Sequence, residues 1–194
     1  MNTIVAEVME SQSEVIAVDV YQKLSSDRIL FISDHIDDKL ATDITATLLL
    51  KDSEDCESKI TLFINSPGGD IRNIFMIYDM IKMMKCPVET ICIGSALDEV
   101  TLLLASGTKG MRYATRNSVI CVGQLENNHM AYSDLTNAKL SLDQSIYDNK
   151  KLLEALSKAV DKPLKQVTSD LQRKVYMNCN QAIKYGIIDK IAGK

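Results

Sequence analysis

No apolar stretch in the chain approaches the roughly 20 residues that a membrane-crossing helix requires. No clustered run of lysine and arginine occurs either, and the formal net charge is −4. Both argue against nucleic acid as the main partner, because a phosphate backbone selects a basic surface. Lys150, Lys151 and Lys158 read instead as the solvated face of a helix. The opening MNTIVAEVMESQSEV lacks the basic and apolar regions of a secretory signal. The five cysteines, at 56, 86, 92, 121 and 179, form neither an even set nor a C-x-x-C pair. Cys92 and Cys121 fall inside apolar, strand-like runs, where a thiol behaves as a small hydrophobe. A reducing compartment is the simplest expectation, with no metal and no cofactor.

What is present is an ordinary globular composition, 46% hydrophobic and 25% charged, over 194 residues. That length suits one compact domain with a substantial core. Apolar runs of strand length at Arg28 to Ile32, Lys59 to Ile64, Val88 to Ile93 and Ser118 to Val122 alternate with helical spacing over Asp37 to Leu50 and Ile71 to Met84. The pattern predicts an α/β fold with a largely parallel, buried sheet of βαβ units. Asp37 and Asp38 suit the first turn of a helix, Pro87 forbids continuation of another, and Gly186 suits a left-handed cap after Gln181 to Tyr185. From Leu135 to Val160, apolar residues at 135, 138, 142, 146, 153, 156 and 160 predict one long helix. A helix of that length projects beyond a compact body, which implies association with other subunits.

Ser66-Pro67-Gly68-Gly69 lies between a predicted strand and a predicted helix, where backbone amides can face an anion, although such a tetrapeptide also serves as a plain tight turn. It belongs to a longer constellation. Phe63 to Asp70 reads FINSPGGD, Ile91 to Gly110 reads ICIGSALDEVTLLLASGTKG, and R-Y-A-x-x-N-S and Y-G-I-I-D follow at Arg112 to Ser118 and Tyr185 to Asp189. Together they closely resemble the proteolytic subunit of the Clp protease (peptidase S14), a self-compartmentalised serine peptidase. The resemblance runs from about Val18 to Ile191. It implies a ClpP/crotonase-like spiral of ββα units with a protruding handle helix. The head would span about 19–122 and 162–194, the handle about 123–161, and a flexible axial segment 1–18 would border the substrate entrance.

The same resemblance puts Asp98 at the position of the serine nucleophile, Gly123 at that of the histidine and Lys174 at that of the aspartate. A triad works because an imidazole, oriented by a carboxylate, takes the proton of a hydroxyl. A carboxylate, a hydrogen atom and an ammonium perform none of those roles. The resemblance therefore implies a catalytically inactive, ClpR-type pseudo-protease subunit rather than an enzyme. Gly68 and the residue after the nucleophile, here Glu99, would supply the oxyanion-hole amides, now faced by acid.

Asp98 also reads as the N-cap of a helix over Glu99 to Ala105, its carboxylate accepting the amide hydrogens that an oxyanion would have used. Loss of an imidazole at Gly123 opens space between opposite charges at 98 and 174. Lys174 then either turns toward Asp98 or stays solvated. Cys121 shares the face of Gly123 on a strand but needs a base to become a nucleophile. His35 and His129 both read as surface residues, and a Ser95–Lys109 dyad stays open.

In the family, the catalytic histidine precedes a Gln-Pro, glycine-rich strand that lines the peptide groove. Here Gln124 persists, while Leu125 and Glu126-Asn127-Asn128 replace the proline and glycines. The family's unfoldase inserts an aliphatic anchor into apolar pockets between subunits, and the matching residues are Phe63, Met83, Ile91, Ile93 and Tyr113, with Thr115 in place of an aliphatic residue. Ile91 and Ile93 also fit a plain core strand. Expected partners are a homo-heptamer, a hetero-oligomer with active Clp proteolytic subunits, or both, and an AAA+ Clp unfoldase, with neither nucleic acid nor membrane. The expected compartment is a plastid-type stroma (apicoplast or chloroplast) or bacterial cytoplasm. An alternative from another class is a crotonase-like acyl-CoA enzyme or residual hydrolase with Asp98 or Glu99 as general base.

Overall fold

Residues 5–11, 14–123 and 134–193 are described by the computed structural model. The N-terminal segment forms two strands, β1 (Val5–Ser11) and β2 (Glu14–Asp19), paired antiparallel as a separate two-stranded sheet. Both strands fall almost wholly within the segment 1–18 that the resemblance gave as a flexible axial segment. In this register Val5, Ala6, Glu7 and Val8 stand opposite Asp19, Val18, Ala17 and Ile16. Asp19 then caps the short helix α1 (Val20–Ser26) by accepting from the amides of Tyr21 and Gln22.

The main sheet begins with β3 (Ile29–Ser33), β4 (Ile60–Ser66) and β5 (Val88–Ala96), joined in parallel through α2 (Asp38–Glu54) and α3 (Ile71–Met83). Their inward residues, among them Leu30, Ile32, Ile60, Leu62, Ile64, Val88 and Cys92, are buried against Ile44 and Leu48 of α2 and Ile74 and Ile77 of α3. Near-continuous apolar runs suit strands covered by helices in this way. Helix α2 runs one turn beyond the predicted end at Leu50, with Lys51 Nζ donating to Glu54 at 2.8 Å.

After β5 the chain makes the short, wholly buried helix α4 (Val100–Ala105), then β6 (Arg112–Ala114) and β7 (Val119–Val122). Strand β5 pairs with β6 through Thr90 to Cys92 and with β7 through Ser95 and Ala96, so the sheet divides along this one strand. The long helix α5 (Leu135–Val160) follows the predicted bounds. Its second half is buried through Leu152, Leu153, Leu156 and Val160, whereas Leu135, Leu140, Leu142 and Ile146 of its first half are exposed. Helix α6 (Leu164–Asp170), β8 (Val175–Met177), α7 (Cys179–Tyr185) and β9 (Lys190–Ile191) complete the fold. Strand β8 runs antiparallel to β7, and β9 parallel to β6. Gly186 ends α7 in the expected left-handed conformation, at φ 99°. A Cβ there would stand 2.8 Å from the carbonyl oxygen of Val160, so the helix ends of α7 and α5 can touch only through a glycine.

The R-Y-A and Y-G-I-I-D motifs meet in one buried ion pair. Arg112 Nη2 donates to Asp189 Oδ1 at 2.6 Å and Arg112 Nε to Asp189 Oδ2 at 2.9 Å, while Oδ2 also accepts from the amides of Gly110 and Arg112. Burial by itself raises the Asp189 carboxyl, but the Arg112 hydrogen bonds and charge outweigh it and hold the group below its usual 3.8. Asp189→Ala strands the Arg112 guanidinium and should cost about 3–5 kcal/mol of stability in urea titration. Because the folded-state value is depressed, this contribution is complete above the unfolded value of 3.8 and is lost as pH falls through the folded value. The wild-type chain should thus lose more stability than Asp189→Asn as the pH is lowered below about 4.

Candidate functional site

Strand β4 delivers Ser66 to a tight loop. Ser66 Oγ donates to the carbonyl of Asp34 at 2.5 Å and accepts the amide of Gly68 at 3.3 Å, and the amide of Leu97 donates to the carbonyl of Ser66 at 3.2 Å. Gly68 adopts φ 136°, a region closed to other residues, so the turn requires glycine there. The loop is thereby fixed against the residues that follow β5. This location lies outside the carboxyl end of β5, where that strand changes neighbours from β6 to β7, the usual position of a site in an open parallel sheet.

Asp98 occupies the turn between β5 and α4 in a left-handed conformation, φ 51°. Aspartate tolerates this region better than most residues. The expected N-cap role is not what forms. Helix α4 begins at Val100, Glu99 stands at its cap position with helical dihedrals and no side-chain capping bond, and the Asp98 carbonyl accepts the amide of Thr101 at 3.2 Å. The left-handed backbone turns the Asp98 carboxylate away from the first amides of the helix. Its Oδ1 is buried and accepts no hydrogen bond, while Oδ2 accepts from Lys174 Nζ at 3.0 Å. The direct ion pair is therefore the alternative that forms, and the solvated Lys174 is not. With a lysine bonded to it, Asp98 is poorly placed to act as a general base.

Gly123 follows β7 directly, and Lys174 directly precedes β8, whose Val175 pairs with Val122. This register brings the two together. A Cβ on Gly123 would lie 2.8 Å from Lys174 Cγ and 3.5 Å from both Lys174 Cα and Asp98 Oδ1. Thr101 ties the elbow to the same strand, its Oγ1 donating to the carbonyl of Cys121 at 2.8 Å and to that of Ala96 at 3.1 Å. Sequence reasoning passed over Thr101 because a lone threonine inside an apolar helix carries no motif. Opposite, Glu99 Oε2 lies 3.5 Å from where a Gly68 Cβ would stand, so the acid does reach the amide loop. Asp98, Gly123, Lys174, Gly68 and Glu99 are thus gathered in one place.

None of the candidate rescue nucleophiles among the described residues has a base. The Cys121 thiol is pushed up, first by burial and then by the Asp98 charge, against a smaller opposing effect of Lys174. Ser95 Oγ donates to Asn65 Oδ1 at 3.2 Å instead of meeting a lysine, and His35 is exposed. Residues 124–133, which include Gln124, Leu125, Glu126, Asn127, Asn128 and His129, lie outside the described residues.

Of the predicted docking residues, Phe63, Ile91, Ile93 and Tyr113 share the other side of the sheet, while Met83 lies at the end of α3. Phe63 stands beside Ile91 and Ile91 beside Tyr113 in register, and Phe63, Ile91, Ile93, Tyr113 and Thr115 are all half-buried, so neither isoleucine belongs to the core. Phe31 stacks on Phe63 with ring centroids 5.2 Å apart, and Tyr21 meets Phe31 edge-on at 5.8 Å, extending the row. Met83 is 76% exposed at the end of α3, and Leu49 and Leu50 of α2 are exposed as well. The packing of α2 through Ala41, Ile44 and Leu48 turns both leucines outward. A surface depression of about 480 Å³ beside Leu49 is lined also by Asp52, Asp55, Cys56 and Lys85 and holds none of Asp98, Gly123 and Lys174.

Burial and thiol chemistry give a measurable order of cysteine reactivity. Cys56 is exposed, whereas Cys86, Cys92, Cys121 and Cys179 are buried, and burial raises the thiols of Cys86 and Cys92 to about 11. Mass spectrometry after brief iodoacetamide treatment of the folded chain should find Cys56 alkylated and Cys121 untouched until denaturant is added. Equal alkylation of Cys121 would reveal an activated thiol.

The geometry agrees with an independent comparison. The family model for Clp protease matches residues 11–194, nearly the whole of the chain. By sequence and by its mixed α/β architecture, the chain belongs to the Clp protease family.

Proposed function

We propose that the chain is a non-catalytic ring subunit of an ATP-dependent Clp protease, of the ClpR type, which contributes assembly, pore shape and unfoldase docking in place of peptide hydrolysis. The observation that carries this reading is the ion pair of Asp98 with Lys174 beside Gly123. Hydrolysis needs a group that gives up a proton to a neighbour and attacks. A carboxylate held by an ammonium at 3.0 Å does neither.

The surfaces support the assembly part. The exposed apolar residues in the first half of α5 are costly to leave in water and suit burial between copies or between rings. The aromatic and aliphatic row across the outer side of the sheet fits an aliphatic anchor on an AAA+ unfoldase. Partners in this reading are further copies of the chain or active Clp proteolytic subunits, in heptameric rings. The compartment that goes with a dead subunit sharing rings with active ones is a plastid-type stroma, with bacterial cytoplasm as the other setting.

Native mass spectrometry of the purified chain, alone and mixed with an active Clp proteolytic subunit from the same cell, tests the reading when peptidase activity is followed in the same samples. The chain alone should form an oligomer without activity and should exchange into the active rings. Peptidase activity of the chain alone, surviving Asp98→Ala, would sink it.

A further inference from the structure

We propose that the former reaction centre is occupied from within, with Lys174 acting as a plug. Its side chain fills the volume where a residue at 123 would project, so positions 123 and 174 are coupled and a side chain can enter at 123 only if Lys174 is shortened. The contact that matters is not at the mobile end of the lysine. The 2.8 Å approach is to Lys174 Cγ, the second carbon of the stem, and Lys174 Cα itself is only 3.5 Å from the same point. The far end is anchored as well, by the 3.0 Å bond from Nζ to Asp98 Oδ2. With Cα fixed by the backbone and Cγ in the way, the first carbons of the stem have little room to move aside, whether or not Nζ is bound to Asp98.

The charge nearest to a side chain at 123 is the Asp98 carboxylate, whose Oδ1 lies 3.5 Å from where its Cβ would stand, so the block at 123 is steric and comes from the Lys174 stem. Across the site, Glu99 puts a carboxylate against the Gly68 loop, and Asp98 Oδ1 points inward without a hydrogen bond. A peptide carbonyl approaching these amides meets two acids and a lysine stem already in place. The centre is therefore closed to peptide as well as stripped of its chemistry. The steric coupling stands on geometry alone, while its description as a closed reaction centre rests on the reading of the site as a former triad.

Gly123 is the informative probe because its backbone is not in the left-handed region, so alanine is admissible there apart from the lysine. At such a position Gly→Ala ordinarily stabilises a protein by restricting the unfolded chain. In the wild-type background, Gly123→Ala should lower Tm by roughly 3 °C or more through overpacking. In a Lys174→Ala background, the same change should raise Tm. Equal decreases in both backgrounds would overturn the plug. A serine-directed fluorophosphonate supplies a second readout. Asp98→Ser with Gly123→His should stay unlabelled while Lys174 is present and label once Lys174→Asp is added. Equal labelling with Lys174 retained would also overturn the plug. A Tm reversal without labelling of the triple variant would keep the plug and reject the former-triad reading.

Discussion

The Arg112 guanidinium is the point to which three separate parts of the chain are fastened. Its fork holds Asp189, just before β9, while Nη1 donates to the carbonyls of Ala105 at 3.3 Å and Ala159 at 3.0 Å, at the ends of α4 and α5. A cation at two helix C-termini meets unpaired carbonyls and the negative ends of two dipoles together. Because Arg112 is 97% buried, as its 3% side-chain exposure implies, each of those bonds is needed to offset the loss of water. The base of α5 and the far end of α4 are therefore fixed in relation to the sheet before any feature of the site is considered.

That arrangement leaves the side chains at 98, 123 and 174 without a part in holding the scaffold. Asp98 stands at the start of α4, whereas the anchor grips its end. The local restraints on the elbow come from Thr101 and from the Ser66 loop, through bonds to backbone carbonyls and amides. None of them uses the side chain at 98, 123 or 174. What the side chains at 98 and 174 add is a pair of opposite charges, partly exposed at 21% and 36%, worth no more than about 1 kcal/mol in water.

The two faces of the sheet differ in composition. The covered face carries aliphatic residues that pack on α2 and α3. The other carries Phe31, Phe63, Ile91 and Tyr113 side by side in register, half-buried and aromatic-rich, a composition that suits a partner better than a solvent boundary. Helix α5 shows the same division along its length, with a buried second half and an apolar first half that the described part of the chain does not cover.

The strands at 60–66 and 88–96 and the helix at 135–160 were legible in the sequence because their apolar periods are long enough to be unambiguous. Strands of two or three residues, β6, β8 and β9, carry no period and took form only through their neighbours. Residue types alone told that positions 98, 123 and 174 hold no hydroxyl, imidazole and carboxylate, and opposite charges pointed to an Asp98–Lys174 pair. Aspartate is both a strong N-cap and tolerant of left-handed backbone, so the sequence could not choose between those roles; the turn out of β5 chose the second. The sequence by itself determined which chemical groups stand at 98, 123 and 174, because that is a property of side chains. Only the tertiary structure decided that the Lys174 stem fills the space at Gly123, because their meeting depends on the pairing of two strands more than fifty residues apart in the chain.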